Sequence, residues 1–311
     1  MGKNKKVHRR DSRKKSIKKS RKQKKNKKKY TMKKKVCSPS RKGLKKFTCY
    51  DDKSLNKIKS LWNKRHPDHK ILSESDKKIW EELRSNMKDV CDNEKCWLRQ
   101  NFARNKLPSN LLNYTFAPNS PESWNKNPNE WLTSLDINRI MKQYEDKYCN
   151  FKFLGPAPID FDMCFSEKEC VWNELRFLEL KNLISKQKRK LGIIFNIDPH
   201  YKDGSHWVSM FIDLNKKFIM YFDSTGEEIP KEINKLMNRI IKQAADIGIT
   251  LKSYINKRSH QKGDTECGMY SLFFVIELLE NKKTPEYFLS KNIPDIEMEK
   301  LRKRYFNQSN N

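Results

Sequence analysis

The stretch SHQKGDTECGMYSLFFVIELLE, residues 259–280, joins a polar loop to a long apolar run. The run after Gly268 is apolar on nearly every side, which predicts a helix buried in the core. Because Asp264 or Thr265 can cap this helix, we expect Cys267 in its first turn. Cys267 is then either a core thiol at the start of a core helix or a nucleophile.

The position of Cys267 favours a reactive thiol. A helix N-terminus offers the positive end of the helix dipole and unpaired backbone N–H groups, and both stabilise a thiolate. Glu266, the preceding residue, works slightly against this. Gly268 is predicted to contact substrate, since a residue without a side chain lets a substrate backbone come close. The same N–H groups can receive an oxyanion.

A thiolate nucleophile needs an imidazole partner, and His206 is the best placed of the six histidines. It opens the β-rich stretch HWVSMFID, and Asp223 closes the next one, KFIMYFDS. If the chain turns near Asn215, the two lie opposite or diagonal on one face of a hairpin. Asp223 can then orient the imidazole.

Gln261 precedes the cysteine by six residues and can donate an amide N–H to an oxyanion. A histidine at a strand end, or a cysteine before a buried helix, is more often structural when found alone. The conjunction of all the parts is far rarer by chance. The predicted catalytic residues are therefore Cys267, His206, Asp223 and Gln261. Trp207 is predicted to line a narrow substrate channel, with a core aromatic as the alternative.

The segment from residue 191 onward predicts an α+β domain. LGIIFNID reads as a strand, and HWVSMFID and KFIMYFDS read as a hairpin. Both faces of these strands are mostly apolar, so we expect a sheet covered on both sides. EINKLMNRIIKQAADIGI has helical periodicity, and ITLKSYIN is a further strand.

Composition divides the chain into four segments. Residues 1–50 hold 24 Lys+Arg and one acidic residue, out of a net charge of +30 for all 311 residues. We therefore predict a disordered basic tail over residues 1–48. Helical periodicity predicts a small arm domain over 49–116, and Pro, Asn and Ser predict a linker over 117–130. The catalytic domain is expected over 131–311 and opens with a helix starting at Trp131.

Three interpretations of the basic tail remain open: a solubilising segment, a non-specific binder of nucleic-acid phosphates, or a nuclear-import signal. Neither a transmembrane run nor a secretory signal is found, so no membrane partner is expected. The eight cysteines are scattered and are expected to be free thiols in a reducing compartment. His66, His69, Cys91 and Cys96 match no strong zinc template, and no metal is predicted.

The order His–Asp–Gln–Cys resembles that of the SUMO-protease and adenovirus-protease clan of cysteine peptidases. The elements are GSHW (204–207), YFDS (221–224), and Gln261 followed by the CG pair at 267–268. The pair WL at 131–132 is similar to the Trp-Leu that opens the catalytic domain of that clan. The resemblance covers about residues 130–305. It implies a papain-like fold, with a central mixed sheet flanked by helices.

Two stretches, QKGDTECGMYSLFF and CDNEKCWL, look like the polyprotein-processing proteases of large cytoplasmic DNA viruses such as African swine fever virus. That group implies cleavage after small residues in Gly-Gly-X contexts during virion maturation. It also implies a polyprotein substrate, no obligatory cofactor, and a place in the virion and the host cytoplasm. The adenovirus enzyme uses DNA, which suggests DNA as an activator bound through residues 1–48.

Two other functions stay open from the sequence. The same chemistry could remove SUMO or another ubiquitin-like modifier, with the nucleus as the alternative location. The chain could also be a catalytically inactive, nucleic-acid-binding virion protein with a peptidase fold. Its oligomeric state is not predicted.

Overall fold

The structure, a computed structural model, describes residues 32–41 and 45–308 and has a six-stranded mixed sheet at its centre. The strand order is β1-β3-β4-β5-β6, with β2 also paired to β3. β3, β4 and β5 are antiparallel, whereas β1, β2 and β6 pair in parallel with their neighbours. The strands are β1 Phe151–Phe153, β2 Ala157–Pro158, β3 Lys190–Asn196, β4 Trp207–Asp213, β5 Phe218–Phe222 and β6 Lys252–Ile255.

Helices surround this sheet and build the region before it. Those of the described residues are α1 Asp52–Arg65, α2 Asp76–Asn86, α3 Ser109–Tyr114, α4 Ser134–Lys147, α5 Asn173–Arg176, α6 Leu180–Ser185, α7 Lys231–Ala245, α8 Cys267–Leu279, α9 Pro285–Ser290 and α10 Asp295–Tyr305. Short 3₁₀ helices span Glu94–Arg99 and Glu122–Asn125. The predicted fold class, a mixed sheet flanked by helices, is confirmed.

Helix α8 lies against one face of the sheet, and all of its residues are buried. Its Phe274 ring stacks on Phe222 of β5 with centroids 4.8 Å apart. Gly192 of β3 permits the close approach, since a Cβ atom there would lie 2.8 Å from the Val275 side chain and 2.9 Å from Phe151. The apolar run after Cys267 is thus part of the main core, as its composition predicts.

Helix α7 covers the opposite face, so the sheet is buried on both sides as predicted. Its Ile233, Leu236 and Ile240 share a core cluster with the alternate residues of the strands, such as Ile193 and Val208. Period-2 alternation in the strands places successive side chains on opposite faces. Both faces are apolar because each has a helix to bury it.

Helix α4 begins three residues later than the sequence predicts. The Thr133 side chain accepts a hydrogen bond from the backbone of Asp136, and the Asp136 side chain accepts one from the backbone of Thr133. This reciprocal capping box satisfies N–H groups of the first turn. Trp131 and Leu132 therefore precede the helix and are free to take part in other contacts.

A separate core cluster forms within the predicted arm, around α1 and α2. Leu55, Ile58, Ile79, Leu83 and Trp97 are among its buried residues. All described residues nevertheless belong to one compact unit. The division of residues 49–311 into arm, linker and catalytic domain therefore stays a prediction.

The prediction of a disordered tail over residues 1–48 is wrong for residues 32–41 and 45–48. Ser38 and Thr48 are buried, and the Val36 N–H donates to Asn307 Oδ1 at 2.6 Å. Periodicity could not reveal this packing, because single residues make contacts with distant parts of the chain. Residues 1–31 and 42–44 lie outside the described part.

The expectation that the cysteines are free thiols is also wrong for six of them. Disulfides join Cys37 to Cys49, Cys91 to Cys96, and Cys164 to Cys170. The fold brings these side chains together, which spacing along the chain does not show. Cys149 and Cys267 are free.

The described residues contain neither a candidate metal site nor a candidate membrane span. No group of three or more His, Cys, Asp or Glu residues there could hold a metal ion. Cys91 and Cys96, which the sequence left as possible zinc ligands, are bonded to each other. Within residues 32–41 and 45–308, no helix is both long and apolar enough to cross a membrane.

We expect Gly192→Ala to lower the free energy of unfolding by about 1–3 kcal/mol, because the new methyl group would overpack the contact between α8 and β3. Urea denaturation measures this change. Gly263→Ala is the control, since a Cβ atom there meets only Asp295, at 3.6 Å. Equal stability of the two variants would contradict close packing at Gly192.

Candidate active site

His206 and Asp223 lie at the same end of the β4–β5 hairpin. The register pairs Ser209 with Phe222 and Met210 with Tyr221. If this register continues by one more pair, Asp223 lies opposite Val208. His206, two residues before Val208, is then the diagonal neighbour of Asp223. The sequence-based expectation of an opposite or diagonal arrangement is met, because the antiparallel hairpin puts both side chains on one face.

The two side chains form a direct hydrogen bond. His206 Nε2 lies 2.7 Å from Asp223 Oδ1, and the Asp223 residue is only 3 % exposed. The same carboxylate oxygen accepts from the backbone N–H and the hydroxyl of Thr225, both at 2.9 Å. Thr225 thus holds in place the carboxylate oxygen that contacts the imidazole.

Cys267 is the first residue of α8 and is 1 % exposed. Its side chain lies close enough to the His206 imidazole to raise the pKa of that ring. Because Nε2 faces Asp223, Nδ1 is the ring nitrogen left to face the sulfur. The structure therefore places the imidazole between the thiol and the carboxylate.

The cap before Cys267 differs from the expected one. Glu266 occupies the N-cap position, and no side chain makes a capping hydrogen bond there. Asp264 and Thr265, the predicted caps, lie further back in the loop. The backbone N–H groups of the first turn of α8 are thus not occupied by a capping side chain.

The electrostatics of His206 follow from these contacts. Burial disfavours the charged imidazolium and lowers its pKa. The interactions with Asp223 and Cys267 outweigh burial and raise the pKa of His206 to about 10. At neutral pH the ring is therefore an imidazolium, and a cation in this position can stabilise a thiolate.

Gln261 lies on the loop that runs beside the hairpin end. Its amide oxygen accepts from the Ser224 hydroxyl at 2.8 Å, and its amide nitrogen donates to Gly263 O. These two bonds assign the positions of the amide oxygen and the amide nitrogen. They leave the second amide N–H for another partner. Ser224, which follows Asp223, thus links Gln261 to the His206–Asp223 pair.

The backbone strengthens this link. The N–H groups of His260 and Gln261 both donate to Ser224 O, at 2.8 and 2.9 Å. Gly226, with φ +80°, lets the turn after Asp223 approach this loop, since a Cβ atom there would lie 2.8 Å from the Ser259 nitrogen. The loop and the hairpin end are therefore one packed unit.

Trp207 combines the two roles that the sequence left open. It is 8 % exposed and belongs to the main core cluster, and its Nε1–H donates to Leu132 O at 2.9 Å. It also lines a cavity of about 500 Å³, together with Trp131 and Gly204. A core aromatic therefore forms part of the wall of a cleft, and none of the four predicted catalytic residues is among the residues that line it.

Gly268 has a different surrounding from the predicted one. A Cβ atom there would lie 3.0 Å from Leu132 Cβ, and Gly268 is buried within α8. The absence of a side chain lets Leu132 pack on the helix. Contact of Gly268 with substrate is a prediction that this packing does not support.

Several residues that support the site carry no signal in the sequence. Asn256 Nδ2 donates to Asp223 O at 2.6 Å, and Arg302 forms an ion pair with Glu266. Arg302 follows Glu266 by 36 residues, and no motif connects them. Ser224 is the exception, because it belongs to the YFDS stretch that contains Asp223.

We expect Asp223→Asn to lower the midpoint of the His206 titration by at least about one pH unit, because the opposite charge is lost while burial remains. NMR of labelled histidine measures the midpoint. Asp160→Asn is the control, since it removes a carboxylate bonded to another imidazole, His200. A midpoint near 10 in the Asp223 variant would contradict the assignment.

The protonation of His206 also makes the free energy of unfolding depend on pH. His206 has its pKa raised from an ordinary value of 6.5 to about 10. Its protonation therefore contributes stability that is complete below about pH 6.5 and is lost as the pH rises through 10.

Comparison with known proteins agrees with this geometry. Residues 166–311 match the profile of the Ulp1 protease family, C-terminal catalytic domain, and this region contains the four predicted catalytic residues. A protein of Acanthamoeba polyphaga mimivirus described as a thiol protease is 28% identical over 87% of this chain and 93% of its own length. The SUMO-1 cysteine protease of African swine fever virus is 29% identical over 74% of this chain and 89% of its own.

The fold is also that of a solved structure. The protease of African swine fever virus superposes with a TM-score of 0.64 at 22% identity, over 89% of this chain and 97% of that one. The predictions of a cysteine peptidase and of its viral relatives are confirmed. Residues 166–311 therefore resemble the catalytic domain of the Ulp1 protease family, and the chain is a cysteine peptidase related to the proteases of large DNA viruses.

Proposed function

We propose that the protein is an endopeptidase that cleaves after small residues, in Gly-Gly-X contexts, and processes structural polyproteins during virion maturation. The observation that carries this proposal is the His206 imidazole, held between Asp223 and Cys267 at the N-terminus of the buried helix α8. Nucleophile, base and orienting carboxylate are the parts that acyl transfer by a thiol requires.

In the proposed mechanism the Cys267 sulfur attacks the scissile carbonyl carbon, and its proton resides on His206. The C–N bond then breaks as His206 passes this proton to the leaving amine, and the acyl group stays on the sulfur. Water, deprotonated by the same imidazole, releases the acyl group as a carboxylic acid. Asp223 keeps Nε2 engaged, so that Nδ1 faces the reacting atoms.

The oxyanion of each tetrahedral intermediate needs preorganised donors. We assign the free amide N–H of Gln261 and the backbone N–H of Cys267 to this role. The Ser224 hydroxyl and Gly263 O hold the Gln261 amide in one orientation. The absence of a capping side chain on α8 leaves its first N–H groups for the substrate oxygen.

The proposed preference for glycine-like residues rests on the cleft bordered by Trp207, the residue that follows His206 in the sequence. Trp131 and Trp207 contribute indole rings to its walls, and Gly204 lies in the same lining. A cleft between two indoles admits a flat, extended backbone more readily than a branched side chain. The relatives in two large DNA viruses support a viral polyprotein as substrate, with the virion and the host cytoplasm as the sites of action.

A second candidate function is the removal of a ubiquitin-like modifier. It is favoured by the description of the African swine fever virus relatives as SUMO-1 cysteine proteases. The chemistry would be the same, but the enzyme would have to recognise a folded modifier and would then act in the nucleus or cytoplasm.

The basic N-terminus suggests a second, non-catalytic partner. Residues 1–31 contain 17 Lys+Arg and one acidic residue. Such a segment can bind nucleic-acid phosphates without sequence preference, with strong salt dependence. We propose that it tethers the peptidase to DNA, with activation by DNA as a possible consequence.

We expect Cys267→Ala to reduce cleavage of a Gly-Gly-X peptide by more than about 1,000-fold, since removal of a nucleophile abolishes the covalent pathway. Cys149→Ala, which removes the exposed free cysteine, is the control and should keep full activity. A Gly-Gly vinyl-sulfone probe should modify Cys267, as located by mass spectrometry.

The same assay separates the two candidate functions. Much faster cleavage of a SUMO fusion than of a Gly-Gly-X peptide or polyprotein would favour the isopeptidase. Undiminished cleavage by the Cys267 variant would show that the proposed mechanism is wrong.

We expect deletion of residues 1–31 to abolish salt-sensitive retention on DNA-cellulose, because most of the net positive charge is lost. Residues 32–48 are kept in this variant, since Val36 bonds to Asn307 and Cys37 to Cys49. Peptide cleavage without DNA, measured in parallel, should be unchanged and shows that the fold survives. Unchanged retention of the truncated chain would remove the tethering proposal.

A further inference from the structure

A buried ion pair lies directly before the candidate nucleophile. Glu266 and Arg302 are 3 % and 4 % exposed, and the guanidinium contacts both carboxylate oxygens at 3.1 Å. Arg302 comes from α10, near the end of the chain. The proposed chemistry of Cys267, His206 and Asp223 does not use this pair.

The remaining donors of Arg302 reach two more segments. Nη1 donates to Glu130 O at 2.8 Å, and Nη2 lies 3.3 Å from both Asn129 O and Thr265 O. The guanidinium also lies over the Trp124 ring, with Cζ 4.6 Å from its centroid. One side chain therefore joins the loop before α8, helix α10 and the segment that leads into Trp131.

That segment forms part of the cleft. Leu132 accepts the Trp207 Nε1–H at 2.9 Å and packs against Gly268 on α8. Trp131 and Leu132 both line the cavity that Trp207 borders. A change at Arg302 would thus reach the cleft wall through Glu130 and the nucleophile through Glu266.

We propose that Arg302 is a positioning residue for catalysis. It neutralises the carboxylate next to Cys267 and fixes the segment at Asn129–Glu130 to the start of α8. The proposal rests on the proposed function of Cys267 as the nucleophile. It assigns to α10 a role in the reaction that the sequence does not indicate.

Without Arg302, a negative charge on Glu266 would lie next to the Cys267 thiolate. Like charges repel strongly where water is excluded. Burial raises the pKa of the Glu266 carboxyl, and hydrogen bonds from Arg302 only partly offset this. A lysine could supply the charge, but it has no planar fork for two carboxylate oxygens together with backbone carbonyls.

Charged and titratable groups face this region from several elements. Around Cys267 and Glu266 they are His206 at the start of β4, Asp223 after β5, and Arg302 and Glu299 on α10. Because His206 is common to all variants described below, a shift between variants reports the Glu266–Arg302 pair.

The test is the pH dependence of Cys267 alkylation by iodoacetamide in the full chain, with the modified residue identified by mass spectrometry. In Glu266→Gln we expect the midpoint to fall by about one pH unit, because the Arg302 charge loses its counter-charge. In the double variant Glu266→Gln/Arg302→Met the midpoint should return to within about 0.3 pH units of the wild-type value, because both charges of the pair are then removed.

The positioning role has a separate readout. Arg302→Lys keeps the charge but loses the bonds to Asn129 and Glu130, so kcat/KM for a Gly-Gly-X peptide should fall about tenfold or more, as expected for a misplaced cleft wall. The alkylation midpoint should stay where it is in the wild type. Arg304→Met removes an exposed charge from the same helix and is the control that should change neither quantity.

An unchanged midpoint in Glu266→Gln, or a midpoint in the double variant that stays low, would overturn the electrostatic part. Unchanged kcat/KM in Arg302→Lys would overturn the positioning part. If Arg302→Lys fails to fold, kcat/KM of the double variant compared with that of Glu266→Gln decides the positioning part, because only the double variant loses the bonds to Asn129 and Glu130; equal values would overturn it. No alkylation of Cys267 in the wild type would instead refute the proposed function.

Discussion

The burial of α8 against the sheet is the constraint on which the rest of the structure depends. All residues of the helix are buried, and each large apolar side chain removed from water contributes about 1.5–3 kcal/mol. The helix therefore cannot shift or rotate without losing much of the main core. Since Cys267 is its first residue, the packing that stabilises the domain also fixes the position of the candidate nucleophile.

The charges of the site are arranged around that rigid helix. His206 and Asp223 come from the hairpin end. The hydrogen bond between them helps to keep the imidazole ring protonated at neutral pH. Glu266, the residue before Cys267, forms a second buried pair with Arg302. Isolated buried charges are costly, whereas hydrogen-bonded pairs are tolerated. The candidate site thus holds its charged side chains in hydrogen-bonded pairs.

Much of this architecture is predictable from the sequence, because it depends on local patterns. Apolar periodicity predicts α7 and α8 within a few residues, and the hairpin pattern predicts the opposite or diagonal relation of His206 and Asp223. The start of α4 is less predictable, since the capping box at Thr133 competes with the apolar pattern that begins at Trp131. The disulfides and the packing of residues 32–41 were missed, because they join segments whose proximity no periodicity encodes.

By itself, the sequence determined the helices and strands, the order of the candidate catalytic residues and the resemblance that implies thiol chemistry. These depend on side-chain alternation and on short spacings within a hairpin or a loop. Only the tertiary structure decided that Gly268 packs against Leu132, that Trp207 serves both core and cleft, and that Arg302 neutralises Glu266. Such contacts arise from packing between distant elements, where residue type alone does not identify the partner.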